Sequence, residues 1–135
     1  MLMSIGIICF LLSTSIYVLF RPTSLLLFHW INYFGFMDEI FIFRSYFSFI
    51  KDIIPFYLIY SVPFGLWIIS YMIFIKIIWG ESKSYSYDIF FWSVPIISFI
   101  SEMFQYFDVI SGTFDLTDLV ILGITIILGF IIKNI

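Results

Sequence analysis

The sequence has few charged residues for its length, and this shortage excludes a water-soluble domain. Only 11% of the 135 residues are charged, whereas 63% are hydrophobic and the mean hydropathy is +1.16. A soluble domain of this size leaves much of its surface in water, so 19 Phe, 9 Tyr and 4 Trp residues would expose apolar surface unless lipid covered it. The composition therefore indicates one membrane domain over residues 1–135.

Basic residues and cysteine are also scarce. Six Lys and Arg residues stand against nine Asp and Glu residues, with no basic cluster of the kind that neutralises nucleic-acid phosphates. We therefore expect no nucleic-acid partner. The single cysteine, Cys9, can form neither an internal disulfide nor a zinc cluster, and we expect it to pack as a small apolar residue. An HExxH motif and a Gly-rich phosphate loop are also missing, so we predict no metal and no cofactor.

Long apolar runs are abundant. A helix needs about 20 mostly apolar residues to cross a membrane, and four segments meet this requirement. They are residues 2–20, 54–79, 89–107 and 116–132. The runs are continuous rather than alternating, which favours helices over membrane strands. The predicted fold class is an all-α integral membrane protein with four transmembrane helices. The first span lacks the basic start and the cleavage site of a secretory signal, so we expect it to stay as an anchor.

The first connection, residues 21–53, is too apolar for an ordinary loop in water. We expect interfacial or re-entrant helices here, because aromatic side chains favour the depth of the lipid headgroups. One helix is predicted from the capping residues 23–24 to Gly35, and another from the acidic residues 38–39 onwards. A fifth span is the alternative, and it would place Arg44 near the middle of the membrane.

The distribution of basic residues does not determine the orientation in the membrane. Three basic residues belong to each predicted side. The two sets are Arg21, Arg44 and Lys51, and Lys76, Lys83 and Lys133. The positive-inside comparison is therefore even. The acidic third connection gives only a slight preference for both termini in the cytoplasm.

Glu102 is an unusual residue for a membrane span. Ser98, Glu102 and Gln105 follow one another at i, i+4 and i+7, so they form a polar stripe on one face of the third predicted helix. An ionised carboxylate is costly in lipid. We therefore expect this stripe to face protein or water.

Two further acids stand at the start of the fourth predicted span. Asp115 suits a helix N-cap, alone or together with a functional role, and Asp118 lies one turn further on the same face. The third span ends and the fourth begins at one membrane face, so the topology predicts a shallow polar pocket there. Its predicted members are Glu102, Gln105, Asp115 and Asp118, with Arg44 or Arg21 to balance their charge. A hard cation held by the acids is an alternative without specific spacing. Pro63 is expected to kink the second span near this pocket.

Two motifs in the second half of the chain resemble those of the VanZ-like membrane proteins. Residues 102–105 read Glu-Met-Phe-Gln, and residues 112–118 read Gly-Thr-Phe-Asp-Leu-Thr-Asp before an apolar helix. Asp52 and Tyr60 are similar to an earlier motif of that family, although the Lys, His and Asn that the family commonly has are replaced here. The resemblance covers residues 52–133. It implies a multi-pass protein of the bacterial inner membrane, a site at these acids, and a link to low-level resistance to the glycopeptide teicoplanin.

Three classes of function follow from these residues. The preferred one is a VanZ-like protein of the cell envelope whose pocket takes a lipid headgroup or a lipid-linked precursor. As an enzyme it would use Glu102 as acid or base, but no nucleophile with an adjacent base is visible, so we lean against catalysis. The second class is an oligomeric proton or cation channel or transporter subunit. The third is a non-catalytic interaction protein, either a partner of another membrane protein or a membrane-active effector.

Overall fold

The computed structural model of the protein describes residues 1–51, 53–80 and 84–135. Within these residues the chain forms six α-helices and no strands. The helices are α1 (Leu2–Phe20), α2 (Leu26–Tyr33), α3 (Met37–Phe47), α4 (Phe56–Trp79), α5 (Tyr85–Tyr106) and α6 (Leu116–Asn134), with a single 3₁₀ turn at Ser48–Ile50. Helices α1, α4, α5 and α6 are long and apolar enough to cross a membrane. The prediction of an all-α, multi-pass membrane protein is confirmed.

The start of α5 differs from the prediction. Hydropathy placed it at residue 89, whereas the helix begins at Tyr85. The hydroxyl of Ser84 accepts a hydrogen bond from the backbone N–H of Tyr87 at 3.2 Å, which satisfies one of the free donors at the helix start. The polar first turn of α5 lowered the hydropathy of a segment that is nevertheless helical.

Helices α2 and α3 occupy the first connection. Helix α2 begins at Leu26 without a side-chain cap, so the predicted cap at residues 23–24 is wrong. Gly35, with φ of +78°, follows its end as predicted, because glycine tolerates this left-handed backbone. Eleven residues of α3 rise about 16 Å, too short for a membrane of about 30 Å, so α3 does not form a fifth span.

Helix α4 is the centre of the bundle and packs against α1, α5 and α6. Its buried residues Ile68, Met72 and Ile73 form one apolar cluster with Phe91 of α5 and Leu122 of α6. Membrane helices approach closely where small residues meet, because lipid itself gives apolar side chains little reason to associate. Helix α4 makes one such close contact with α1 and one with α6.

Close contacts fix α4 against α1 and α6. The hydroxyl of Ser70 donates to the backbone carbonyl of Gly6 in α1 at 2.9 Å, and both residues are buried. On the other side, a Cβ built at Gly65 would lie 2.4 Å from Cγ2 of Ile121 in α6. Gly6 therefore allows α4 to approach the backbone of α1, and Gly65 allows α6 to approach the backbone of α4.

The two ends of the bundle differ in their polar residues. Helices α1 and α5 end, and α4 and α6 begin, at one face, where the polar pocket described below is located. At the opposite face Lys133 pairs with Asp88 at 2.8 Å, and Lys76 donates to the backbone carbonyl of Lys133 at 3.2 Å. The predicted count of basic residues by side also used Lys83, which lies outside the described residues.

Candidate functional site

An open cavity of about 400 Å³ lies between the ends of four helices at one face of the bundle. Helix α1 contributes its last turns, α4 its first turns, α5 its last turns and α6 its first turn together with the preceding loop. The cavity is lined by Tyr17, Arg21, Phe56, Tyr60, Pro63, Phe64, Trp67, Glu102, Gln105, Gly112, Thr113, Asp115 and Asp118. We refer to this cavity as the polar pocket.

Glu102 lies on the α5 side of the polar pocket and is only 6% exposed. Ser98, one turn earlier on the same helix face, is also buried, so the polar stripe points into the protein as predicted. Among the described residues, the Oε2 atom of Glu102 is buried without a hydrogen-bond partner. Such an atom loses its contacts with water and gains none from protein, which is costly unless a ligand or water supplies a donor.

Asp115 is the N-cap of α6, as predicted. Its carboxylate accepts a hydrogen bond from the backbone N–H of Thr117 at 2.8 Å, and the Thr117 hydroxyl donates to the same oxygen. These two hydrogen bonds hold the pKa of the Asp115 carboxyl below its usual value of 3.8. Asp115 therefore stays ionised at neutral pH at the edge of the polar pocket, with one oxygen engaged in capping.

Asp118 lies one turn further along α6 and also lines the polar pocket. Within the described part of the chain its Oδ1 atom is buried and lacks a hydrogen-bond partner, like Oε2 of Glu102. The carboxylates of Asp115 and Asp118 both lie within electrostatic range of Glu102. The structure thus brings the three predicted acids together at one site.

Gln105 closes the pocket at the connection between α5 and α6. Its carboxamide lies against the backbone of Gly112, where an added Cβ would come within 2.6 Å of the Gln105 Cδ. A larger residue at position 112 would displace the loop or the amide. Gln105 is half-buried and joins the acids in the pocket, as predicted.

Arg21, at the end of α1, is the basic residue of the polar pocket. Its guanidinium carbon lies 4.6 Å from the centre of the Tyr60 ring and 5.3 Å from that of Tyr17, an arrangement favourable for cation–π attraction. The Nε atom of Arg21 is buried and has no hydrogen-bond partner among the residues described. The guanidinium therefore stands in the pocket, over aromatic rings, with a free donor.

Arg44 lies outside the polar pocket, so its assignment to the site is corrected. Its guanidinium donates to the backbone carbonyls of Val18 at 3.1 Å and Arg21 at 2.9 Å, and lies over the ring of Phe28. The last carbonyls of a helix lack partners within the helix and attract positive charge. Arg44 thus caps α1 and attaches α3 to it.

The aromatic wall of the pocket was missed by sequence reasoning. Tyr60, Phe64 and Trp67 follow at i, i+4 and i+7 on α4, and Tyr17 lies four residues before Arg21 on α1. This helical spacing places each set on one face. The spacing of these residues is visible in the sequence, but it does not distinguish them, because aromatic residues are frequent throughout the chain. Asp52, the acid of the early motif, lies outside the described residues.

Of the residues that the structure describes, three acids and one arginine line the pocket. Two carboxylates, Glu102 and Asp118, each have a buried oxygen in need of a donor, and Arg21 has a buried donor in need of an acceptor. A ligand with both donor and acceptor groups would satisfy all three. In the described residues, no group of His, Cys, Asp and Glu side chains has a geometry that would hold a metal ion.

Comparison of the chain with protein-family models, with curated proteins and with solved structures found no match. The family resemblance of the two acidic motifs therefore stays a prediction.

Proposed function

We propose that the chain is a VanZ-like protein of the bacterial cell envelope that binds the polar end of a lipid or of a lipid-linked precursor in the polar pocket. The observation on which this rests is that Glu102, Asp118 and Arg21 all line one open cavity, and each has a buried polar atom that lacks a hydrogen-bond partner among the described residues. Buried polar groups without hydrogen-bond partners are unfavourable, and a ligand that supplies the missing contacts removes this cost.

The depth of the pocket favours a lipid headgroup as the ligand. Glu102 lies four residues before the end of α5, which corresponds to about 6 Å along the helix axis, and Asp118 lies in the first turn of α6. Both carboxylates are therefore near the level at which lipid headgroups meet the hydrocarbon core. A molecule that diffuses in the membrane plane reaches this depth without leaving the bilayer.

The composition of the pocket favours binding over catalysis. Its oxygen-bearing side chains are carboxylates, tyrosines, a threonine and an amide, and the free positions on Glu102 and Asp118 are acceptors. The chain's one histidine, His29, is exposed on α2 and outside the pocket. Among the described residues, therefore, no histidine stands beside a hydroxyl of the pocket to activate it as a nucleophile. We propose a non-catalytic role in handling the ligand.

Glycopeptide susceptibility tests this function. We would express the wild type, Glu102→Gln and Asp118→Asn at equal membrane levels and measure the teicoplanin concentration that stops growth. Asp88→Asn is the matched control, because Asp88 is an acid at the opposite face of the same bundle. The wild type and the control should raise this concentration, and the two pocket variants should not. Susceptibility unchanged by every form of the protein would overturn the proposal and favour a channel subunit or a partner protein.

A further inference from the structure

An apolar groove lies beside the polar pocket. It has a volume of about 520 Å³ and is bounded by residues that include Phe10 of α1, Phe74 of α4 and Val94 of α5. It exists because α1 and α5 both pack on α4 but, within the described ranges, do not pack on each other. Phe64 and Trp67 line the groove as well as the polar pocket, so the two cavities share a wall.

The length of the groove matches one lipid leaflet. From Phe64 to Phe74 it follows ten residues of α4, or about 15 Å at the rise of an α-helix. This is about half of the roughly 30 Å thickness of the hydrocarbon core. The groove begins at Phe64, eight residues or about 12 Å after the start of α4, so it lies deeper than the headgroups and crosses the middle of the membrane. The far end of an acyl chain whose headgroup is in the polar pocket reaches this depth.

The missing hydrogen bonds of the pocket determine which headgroup chemistry fits it. Oε2 of Glu102 and Oδ1 of Asp118 need hydrogen-bond donors, preferably positively charged ones, and Nε of Arg21 needs an acceptor. A phosphate next to a primary ammonium supplies both. A quaternary ammonium has the charge but no N–H to donate, and a glycerol headgroup lacks the positive charge.

On the basis of the function proposed above, we propose that the protein binds a phospholipid with a primary-amine headgroup. The ammonium lies at Glu102 and Asp118, the phosphate lies at Arg21, and one acyl chain lies in the apolar groove between α1 and α5. Trp67, which lines both cavities, then lies between the bound headgroup and the bound acyl chain.

Trp67 is a built-in probe for this arrangement. We would replace the other three tryptophans with phenylalanine, confirm the helix content and melting temperature, and reconstitute the protein in phosphatidylcholine vesicles. A small fraction of the lipid would carry bromine on its acyl chains, as phosphatidylethanolamine, phosphatidylglycerol or phosphatidylcholine in parallel samples. Bromine quenches tryptophan only at contact, so quenching of Trp67 reports a chain in the groove.

Brominated phosphatidylethanolamine should quench Trp67 at roughly tenfold lower mole fraction than either other lipid, because charged hydrogen bonds favour it. Glu102→Gln with Asp118→Asn should reduce this preference to the level of phosphatidylcholine. Val94→Phe, which fills the groove, should weaken quenching by every lipid. Val120→Phe is its control, because Val120 is an exposed residue of α6 away from the groove.

Equal quenching by the three lipids would overturn the inference. A preference for brominated phosphatidylethanolamine that survives Glu102→Gln with Asp118→Asn would also overturn it, because the two acids would then not bind the headgroup. Teicoplanin susceptibility separates this failure from that of the proposed function. If the three lipids quench equally while Glu102→Gln still abolishes resistance, the pocket keeps its proposed function and the ligand is a different amphiphile.

Discussion

Substitution of Gly65 by alanine tests the packing of α4 on α6. The added methyl group would lie 2.4 Å from Cγ2 of Ile121 and 3.2 Å from Oγ1 of Thr125, whereas ordinary contacts are 3.4–4 Å. Thr125 cannot easily move aside, because its hydroxyl donates to the backbone carbonyl of Ile121 at 2.8 Å. The helices must therefore separate by about 1 Å or Ile121 must leave its rotamer, and overpacking of this kind costs about 1–3 kcal/mol.

Reversible unfolding in mixed micelles, followed by circular dichroism, would measure this cost. Gly123→Ala is the matched control, because Gly123 is also a helical glycine but has no atom within 4 Å of an added Cβ. We expect this control to be neutral or to stabilise the protein by up to about 1 kcal/mol through helix propensity. In an Ile121→Ala background, which removes the obstructing methyl, Gly65→Ala should lose most of its effect. Equal free energies of unfolding for the two glycine variants would refute the close packing of α4 and α6.

Three further substitutions test contacts outside the pocket or at its edge. Arg44→Ala should increase hydrogen–deuterium exchange over α3 and lower the free energy of unfolding by about 1.5 kcal/mol. This value is the low end for a charged donor, because the Arg44 side chain is partly exposed. The control Lys51→Ala should leave exchange unchanged. Ser70→Ala removes a buried hydrogen bond between α1 and α4 and should lower the free energy of unfolding by about 0.6 kcal/mol, whereas Ser45→Ala, at an exposed site, should have no measurable effect. Asp115→Ala should speed amide exchange in the first turn of α6 and cost about 1 kcal/mol as a lost N-cap. Because the pKa of Asp115 is lowered in the folded protein, its contribution is complete above the usual value of 3.8 and should disappear as the pH falls through the lower folded value, which exchange measured against pH would detect.

The number and position of the membrane helices were readable from the sequence because they depend on local properties. Apolar length and polar interruptions determine which segments can span. The end of α2 shortly before Gly35 and the start of α6 after its N-cap Asp115 follow from the preferences of single residues. The start of α5 was missed, since a hydropathy window does not detect a cap at Ser84. The polar stripe of Glu102 was also local, because helical periodicity alone places it on one face.

The choice of the basic residue in the pocket was decided only by tertiary structure. Arg21 and Arg44 both belong to the first connection, which was predicted to lie at the same membrane face as the site. Charge balance alone favours neither of them. The packing of α3 on α1 directs the guanidinium of Arg44 to the carbonyls at the end of α1 and leaves that of Arg21 over Tyr60. The apolar groove likewise depends on the space between α1 and α5, which are distant in sequence. Such features arise from contacts between separate helices, and a single sequence contains no local signal for them.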